Sequence, residues 1–207
     1  MKVLLGILSV FMILIGCEDV ASISSAETDS VICCAETASV ENVTADELES
    51  LTFMVEEEKL ARDVYITLYE EWGQKSFNNI SGSEQKHMDA VKNLLELYEQ
   101  EIPVTLETVG SFENEVLQSM YNDLVTQGKT SLIEALKVGA LIEEVDIIDL
   151  VDLQETIVQE DTIEYVFANL ISGSENHLRA FVKNLGQQGV TYEPQLLDTE
   201  TYQAIVN

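Results

Sequence analysis

The stretch ISGSEQKHMDAVKNL, Ile80 to Leu94, is written again as ISGSENHLRAFVKNL, Ile171 to Leu185, with nine of fifteen letters shared. Laid over one another without a gap, the two copies put Glu84 over Glu175 but His87 over Leu178. The chain's two histidines then miss each other by one place. Helix geometry selects a different register. At about 100° per residue, Ile80 and Val91 fall within about 40° of His87, Phe77 and Leu95 at about 80°, and Glu84 at about 60°. In the second copy Leu170 and Phe181 fall within about 40° of His177, Phe167 and Leu185 at about 80°, and Ser174 at about 60°. The two apolar arcs coincide only when His87 is matched to His177, which sets Glu84 against Ser174. The literal match would instead put Met88 over Arg179 and Leu95 over Gly186. Each copy therefore reads as an amphipathic helix carrying an imidazole on its inward face.

The rest of the chain reads as helix too. Only two prolines occur, Pro103 and Pro194, and each follows a long apolar-periodic segment. Good helix formers fill the spaces between breakers. The pattern predicts helices over about Asp46–Trp72, closed by Gly73, and Lys75–Glu99, stopped by Pro103. Further helices follow over Ser131–Gln154 and Thr162–Leu185. A shorter helix is expected from Phe112 to Gln127, and a last one from Asp198. Val104–Val109 alone offers a weak alternating pattern suited to a strand. Four long helices with a connection from Glu101 to Thr130 that carries its own helix describe an all-α bundle with one long crossover.

A buried carboxylate beside a buried imidazole needs a partner, because an unpaired buried charge costs several kcal/mol. One explanation is a hydrogen-bonded core histidine. The other is a metal ion, since i, i+3 spacing points Glu84 and His87 at one place. The remaining helices offer inward acids for such an ion. Around Glu58, the residues Leu51, Met54, Ala61, Tyr65 and Trp72 lie within about 60°; Glu57 sits at the margin of that arc and Glu56 is expected to face out. Around Glu143, the residues Leu132, Leu136, Gly139, Ile147 and Leu150 lie within about 40°, with Asp146 within about 60° and Glu144 about 100° away.

EKLARDVY, Glu58 to Tyr65, together with Glu84-x-x-His87, resembles the pattern of rubrerythrin-type members of the ferritin-like superfamily. More narrowly, EEEKLARDVY, SEQKHMDAV, KVGALIEEVDI and NHLRAF are together similar to the prokaryotic family called domain of unknown function 2202. The resemblance covers nearly all of residues 50–205. It implies a carboxylate-bridged pair of iron or manganese ions that reacts with peroxide or oxygen, or oxidises ferrous iron. Glu58, Glu84, His87, Glu143 and His177 would be the ligands, with Glu84 able to bridge. Carboxylates with imidazoles suit iron and manganese. The departure is Ser174, which stands where the second Glu-x-x-His should hold its glutamate. Asp146 or Glu175 is the candidate for the sixth ligand, with Glu144 and Glu57 behind them. Glu175 projects about 160° from His177. It reaches the same ion only through a distortion such as a π-bulge, which Gly173 would ease. Alternatives remain a non-catalytic iron-binding or sensing module, and a structural bundle with a degenerate site.

Before the helical domain, residues 46–207, lie two segments of other character. Residues 1–16 hold one cation, Lys2, and then an uncharged, mostly apolar run, which reads as a secretory signal. The run ends in Leu14-Ile15-Gly16-Cys17, which resembles a bacterial lipobox and implies cleavage before Cys17 and acylation of its sulfur. Residues 17–45 after it contain no Lys, Arg or aromatic residue and read as an acidic tether, with an r.m.s. reach of roughly 30 Å. Cys33 and Cys34 lie within it. A lipid-anchored domain of the cell envelope, outside the cytoplasm, is the expectation. The formal net charge is −28, and loss of residues 1–16 removes only Lys2. Such a surface disfavours nucleic acid as a partner. A homodimer is compatible with it.

Overall fold

The computed structural model describes residues 43–207, in which six helices and no strand occur. The signal segment, Cys17, Cys33 and Cys34 lie outside the described residues. Four helices are long: α1 (Ala45–Trp72), α2 (Lys75–Leu97), α4 (Leu132–Thr156) and α5 (Asp161–Gln187). The helices α3 (Glu115–Gly128) and α6 (Thr199–Val206) are shorter. Their ends follow side-chain chemistry. Thr44 and Glu47 cap α1 reciprocally, and Gly73, at φ 62°, closes it in the left-handed conformation. Asn114, Ser131, Glu160 and Asp198 each accept backbone N–H groups at the start of their helices.

α1 packs on α2 and α4, and α5 packs on α4 and α2, so the four long helices close a ring. The buried positions of α2 and α5 agree in the histidine register. Phe77, Ile80, Glu84, Met88, Val91 and Leu95 are buried on α2; Phe167, Leu170, Ser174, Leu178, Phe181 and Leu185 are buried on α5. Two apolar clusters fill the ring. One contains Tyr65, Phe77, Ile147 and Phe181, the other Met54, Met88, Leu150 and Phe167. The acids and histidines of the repeated segments fall between them along each helix.

The 98–114 connection departs from the sequence expectation. Val104–Val109 forms turns rather than a strand, because its backbone hydrogen-bonds to the side chains of α1. Arg62 donates to the Leu106 carbonyl at 2.8 Å and Lys59 to that of Thr108 at 2.9 Å. Asp63 accepts the Gly110 N–H at 2.8 Å. Glu56, expected to face out, is instead buried and accepts the N–H groups of Glu113 and Asn114 at 2.7 and 2.9 Å. The Lys59–Asp63 ion pair is fully buried, and the ammonium lies 4.1 Å from the centre of the Phe112 ring. α1 is thereby covered on every side, and each residue from Met54 to Tyr65 is buried.

Candidate metal centre

Glu84 lies at the centre of the polar layer. Its Oε2 is 2.8 Å from Nδ1 of His87, and its Oε1 is 2.8 Å from Nδ1 of His177. Each histidine also faces a second acid. His87 Nδ1 is 3.3 Å from Glu58 Oε2, and His177 Nδ1 is 3.4 Å from Glu143 Oε2. Two half-sites result, one of Glu58 and His87, the other of Glu143 and His177, and they share the two oxygens of Glu84. The imidazoles stack with their centres 5.4 Å apart.

These close approaches lack the alignment of good hydrogen bonds and act as charge contacts when the imidazoles are protonated. Glu58 Oε1, both oxygens of Glu84, and both Nδ1 atoms are buried with no hydrogen-bond partner, because the atoms converge without the alignment that an N–H donor requires. Neighbouring donors around an octahedral ion with bonds of about 2.1 Å stand roughly 3 Å apart. Orphaned oxygens and imidazole nitrogens at that spacing fit a cation. Among the described residues, Glu84, His87 and His177 form a group close enough to hold one ion. The donor set suits iron, manganese or another first-row divalent ion.

The protonation states agree. Burial favours the neutral carboxyl of Glu84, but the two histidines outweigh it and hold Glu84 down at about 2. Burial works against the charged imidazoles, yet Glu58 and Glu84 push His87 up to about 11. Glu143 and Glu84 push His177 up to about 10. Burial, with the charge of Glu84 added, raises Glu58 and Glu143 to about 7. Without a cation the layer keeps protons on its imidazoles to balance its carboxylates. A divalent ion displaces protons from the same atoms.

The other candidate residues divide. Asp146 is buried beside Ser174, whose hydroxyl donates to its Oδ2, while Oδ1 has no partner. Burial and the charges of Glu58, Glu57, Glu143 and Glu84 raise its carboxyl well above the ordinary value. Glu57 is buried toward Asp149, away from the histidines, and its Oε2 is unpartnered. Glu144 is taken out of the layer: its carboxylate accepts the N–H groups of Gln195, Leu196 and Leu197 and the hydroxyl of Tyr192. Glu175 is half-exposed and pairs with Arg179 at 3.6 Å. The bulge that would have turned Glu175 inward is absent, since α5 is α-helical throughout.

Two residues that the sequence marked only for other reasons also act on the layer. The Tyr65 hydroxyl donates to Glu143 Oε1 at 2.6 Å and fixes that carboxylate; its place seven residues after Glu58, on the same face, was the available signal. Gly173 makes room for a ring, because a Cβ there would lie 2.5 Å from His87 Nε2. No pattern in one sequence reveals that contact.

An all-helical domain holding a buried carboxylate–imidazole cluster is the class that fold and site define. The chain belongs to the family described as "Uncharacterized protein domain (DUF2202)", which matches residues 47–207. It is 47% identical over 165 residues to "Uncharacterized protein MJ0754" of Methanocaldococcus jannaschii, spanning 80% of this chain and 89% of that protein. The crystal structure of "hypothetical protein MJ0754" from the same organism superposes with a TM-score of 0.77 at 48% identity. That match covers 79% of this chain and 93% of the other.

Proposed function

We propose that the domain is a ferritin-like four-helix bundle with one crossover, built around a centre for two iron or manganese ions, and that it is an oxidoreductase of peroxidase or ferroxidase type. The bundle topology is supported by the order of the apolar clusters. Along α1 and α5 the Met54 cluster precedes the polar layer and the Tyr65 cluster follows it. Along α2 and α4 the order is reversed. α2 and α4 therefore run the same way, and the connection between them returns along the length of the molecule.

The metal centre rests on one observation: the two oxygens of Glu84 each face one histidine Nδ1 at 2.8 Å without the alignment of a good hydrogen bond. Glu58 and His87 would hold one ion, Glu143 and His177 the other, with Glu84 between. Tyr65 keeps Glu143 turned inward, and the flanking apolar clusters keep bulk water from the layer. A pair of such ions, when bound, would supply the two electrons by which peroxide or oxygen is reduced, and ferrous iron as substrate would give electrons back to it, with peroxide or oxygen as the oxidant. Metal content per chain tests the reading. Wild type loaded anaerobically with ferrous iron should hold stoichiometric metal, and the His87→Ala, His177→Ala double variant should not. A wild type that takes up none under those conditions ends the proposal; where iron does bind, added peroxide distinguishes a reactive centre from a carrier.

The lipobox-like Leu14–Cys17 supports a further proposal, that the mature chain is acylated on Cys17 and held at the envelope membrane. Intact mass of the mature protein decides it: an acylated chain starting at Cys17, lost in Cys17→Ser.

A further inference from the structure

The two copies of the repeated segment match in the residues they bring to the layer but for one. With His87 laid over His177, Glu84 has Ser174 as its counterpart, so α5 brings no carboxylate to the layer. Three acids, Glu58, Glu84 and Glu143, also leave the charge of two divalent cations one short of balance. Asp146 stands beside the gap. It lies one turn beyond Glu143 on α4, is only 5% exposed, and has one oxygen, Oδ1, without any partner. Its other oxygen, Oδ2, accepts the Ser174 hydroxyl.

That hydroxyl has two acceptors and one proton. Besides Asp146 it lies 3.0 Å from the Leu170 carbonyl, one turn back on α5. Should Asp146 turn away, Ser174 can give its proton to Leu170, and no buried donor is left unsatisfied. A serine is also short enough to leave open the space that a glutamate at position 174 would fill. We propose, resting on the two-ion reading above, that Asp146 is the sixth protein ligand of the centre. It is supplied from α4 in place of the absent glutamate of α5, and Ser174 is its resting partner in the metal-free protein. The acids that bind the pair are then Glu58, Glu84, Glu143 and Asp146, whose four negative charges balance two divalent cations. Glu175 plays no part.

The test is equilibrium loading of the metal-free chain with ferrous iron under anaerobic conditions, read as ions per chain and as the dissociation constant of each. Wild type should hold two ions. Asp146→Asn keeps the shape and the bond to Ser174 but removes the charge; it should hold the first ion and bind the second roughly 100-fold more weakly. Asp146→Glu and Glu175→Gln should both hold two. The pair Asp146→Asn, Ser174→Glu, which returns the carboxylate to α5, should recover the second ion. Should Asp146→Asn lose its helicity, Ser174→Ala carries the question: it frees Asp146 of its resting partner and should bind the second ion roughly 2- to 10-fold more tightly, whereas an unchanged dissociation constant overturns the assignment. An Asp146→Asn protein that binds both ions as wild type does also overturns it, as does loss of the second ion in Glu175→Gln. A wild type that binds no ion is a different failure, since it removes the metal centre itself.

Discussion

Gly82 and Gly173 occupy the same place in the repeated text and have opposite consequences. A Cβ at Gly82 meets nothing within 4 Å, whereas one at Gly173 would lie 2.5 Å from His87 Nε2 and 2.6 Å from Cε1. Gly82→Ala should therefore stabilise α2 by up to about 1 kcal/mol. Gly173→Ala should displace His87 and weaken metal binding by roughly 10–100-fold with the helical content retained; circular dichroism and a binding titration separate the two effects. Tyr65→Phe acts on the other half-site. It removes the hydroxyl held by Glu143 and should cost about 1–2 kcal/mol of stability. Metal affinity should fall with it, and unchanged affinity would show that Glu143 keeps its orientation unaided. At this scale the sequence marked the residues that face inward but not what holds them. Glu58, Glu84, Glu143 and the histidines declare themselves by angular position, whereas the fit of a glycine against an imidazole depends on how two helices meet.

Among the elements, α2 and α5 were legible because each has one face against the ring and one against solvent. α1 was legible as a helix and in its inward Glu58, but not on its other face, which the connection and α3 cover. An angle from the apolar arc says which acid faces the ring, but not which acids are left exposed on a helix buried all round. Glu56 thus became a clamp on the residues just before α3, and Glu144, on α4, a clamp on the segment before α6. Glu47 does a similar task at the far end. It accepts the N–H of Thr44 at 2.7 Å and, across the molecule, those of Gln159 and Glu160 at 2.7 and 2.8 Å. Burial would raise its carboxyl, but the N–H groups of Gln159, Thr44 and Glu160 and the Thr44 hydroxyl outweigh burial and hold it below its ordinary value of 4.5. A carboxyl depressed in the folded state stabilises above its unfolded value, and the contribution fades as pH falls through the folded one. Glu47→Gln should lower stability at pH 7 by about 2 kcal/mol. The gap to wild type should close as pH drops below about 4.5, as denaturant unfolding across pH would show. A gap that stays constant to pH 3 would mean the loss is one of packing.

The described residues are organised on two hairpins, α1–α2 and α4–α5, that meet across α1–α4 and α2–α5, and the polar layer draws side chains from all four of these helices. The layer should be the weakest part of the metal-free ring, because buried carboxylates face one another there with only protons on the imidazoles between them. The net charge adds to this strain, since the chain's 38 acids outnumber its 10 basic residues and repel one another. Cations can relieve the two strains separately. Added salt shortens the screening length to about 8 Å at 0.15 M and eases the surface repulsion, so sodium chloride alone should raise the melting temperature of wild type and of the His87→Ala, His177→Ala variant alike. A bound ion instead ties the hairpins together. At a free concentration about 1,000 times its dissociation constant it adds about 4 kcal/mol, or roughly 10 °C for a domain of this size. Ferrous iron or manganese should give that extra rise at matched ionic strength in wild type only, and slow hydrogen exchange in the middle turns of all four long helices. Equal rises in wild type and double variant would assign the stabilisation to surface screening and leave the hairpins untied.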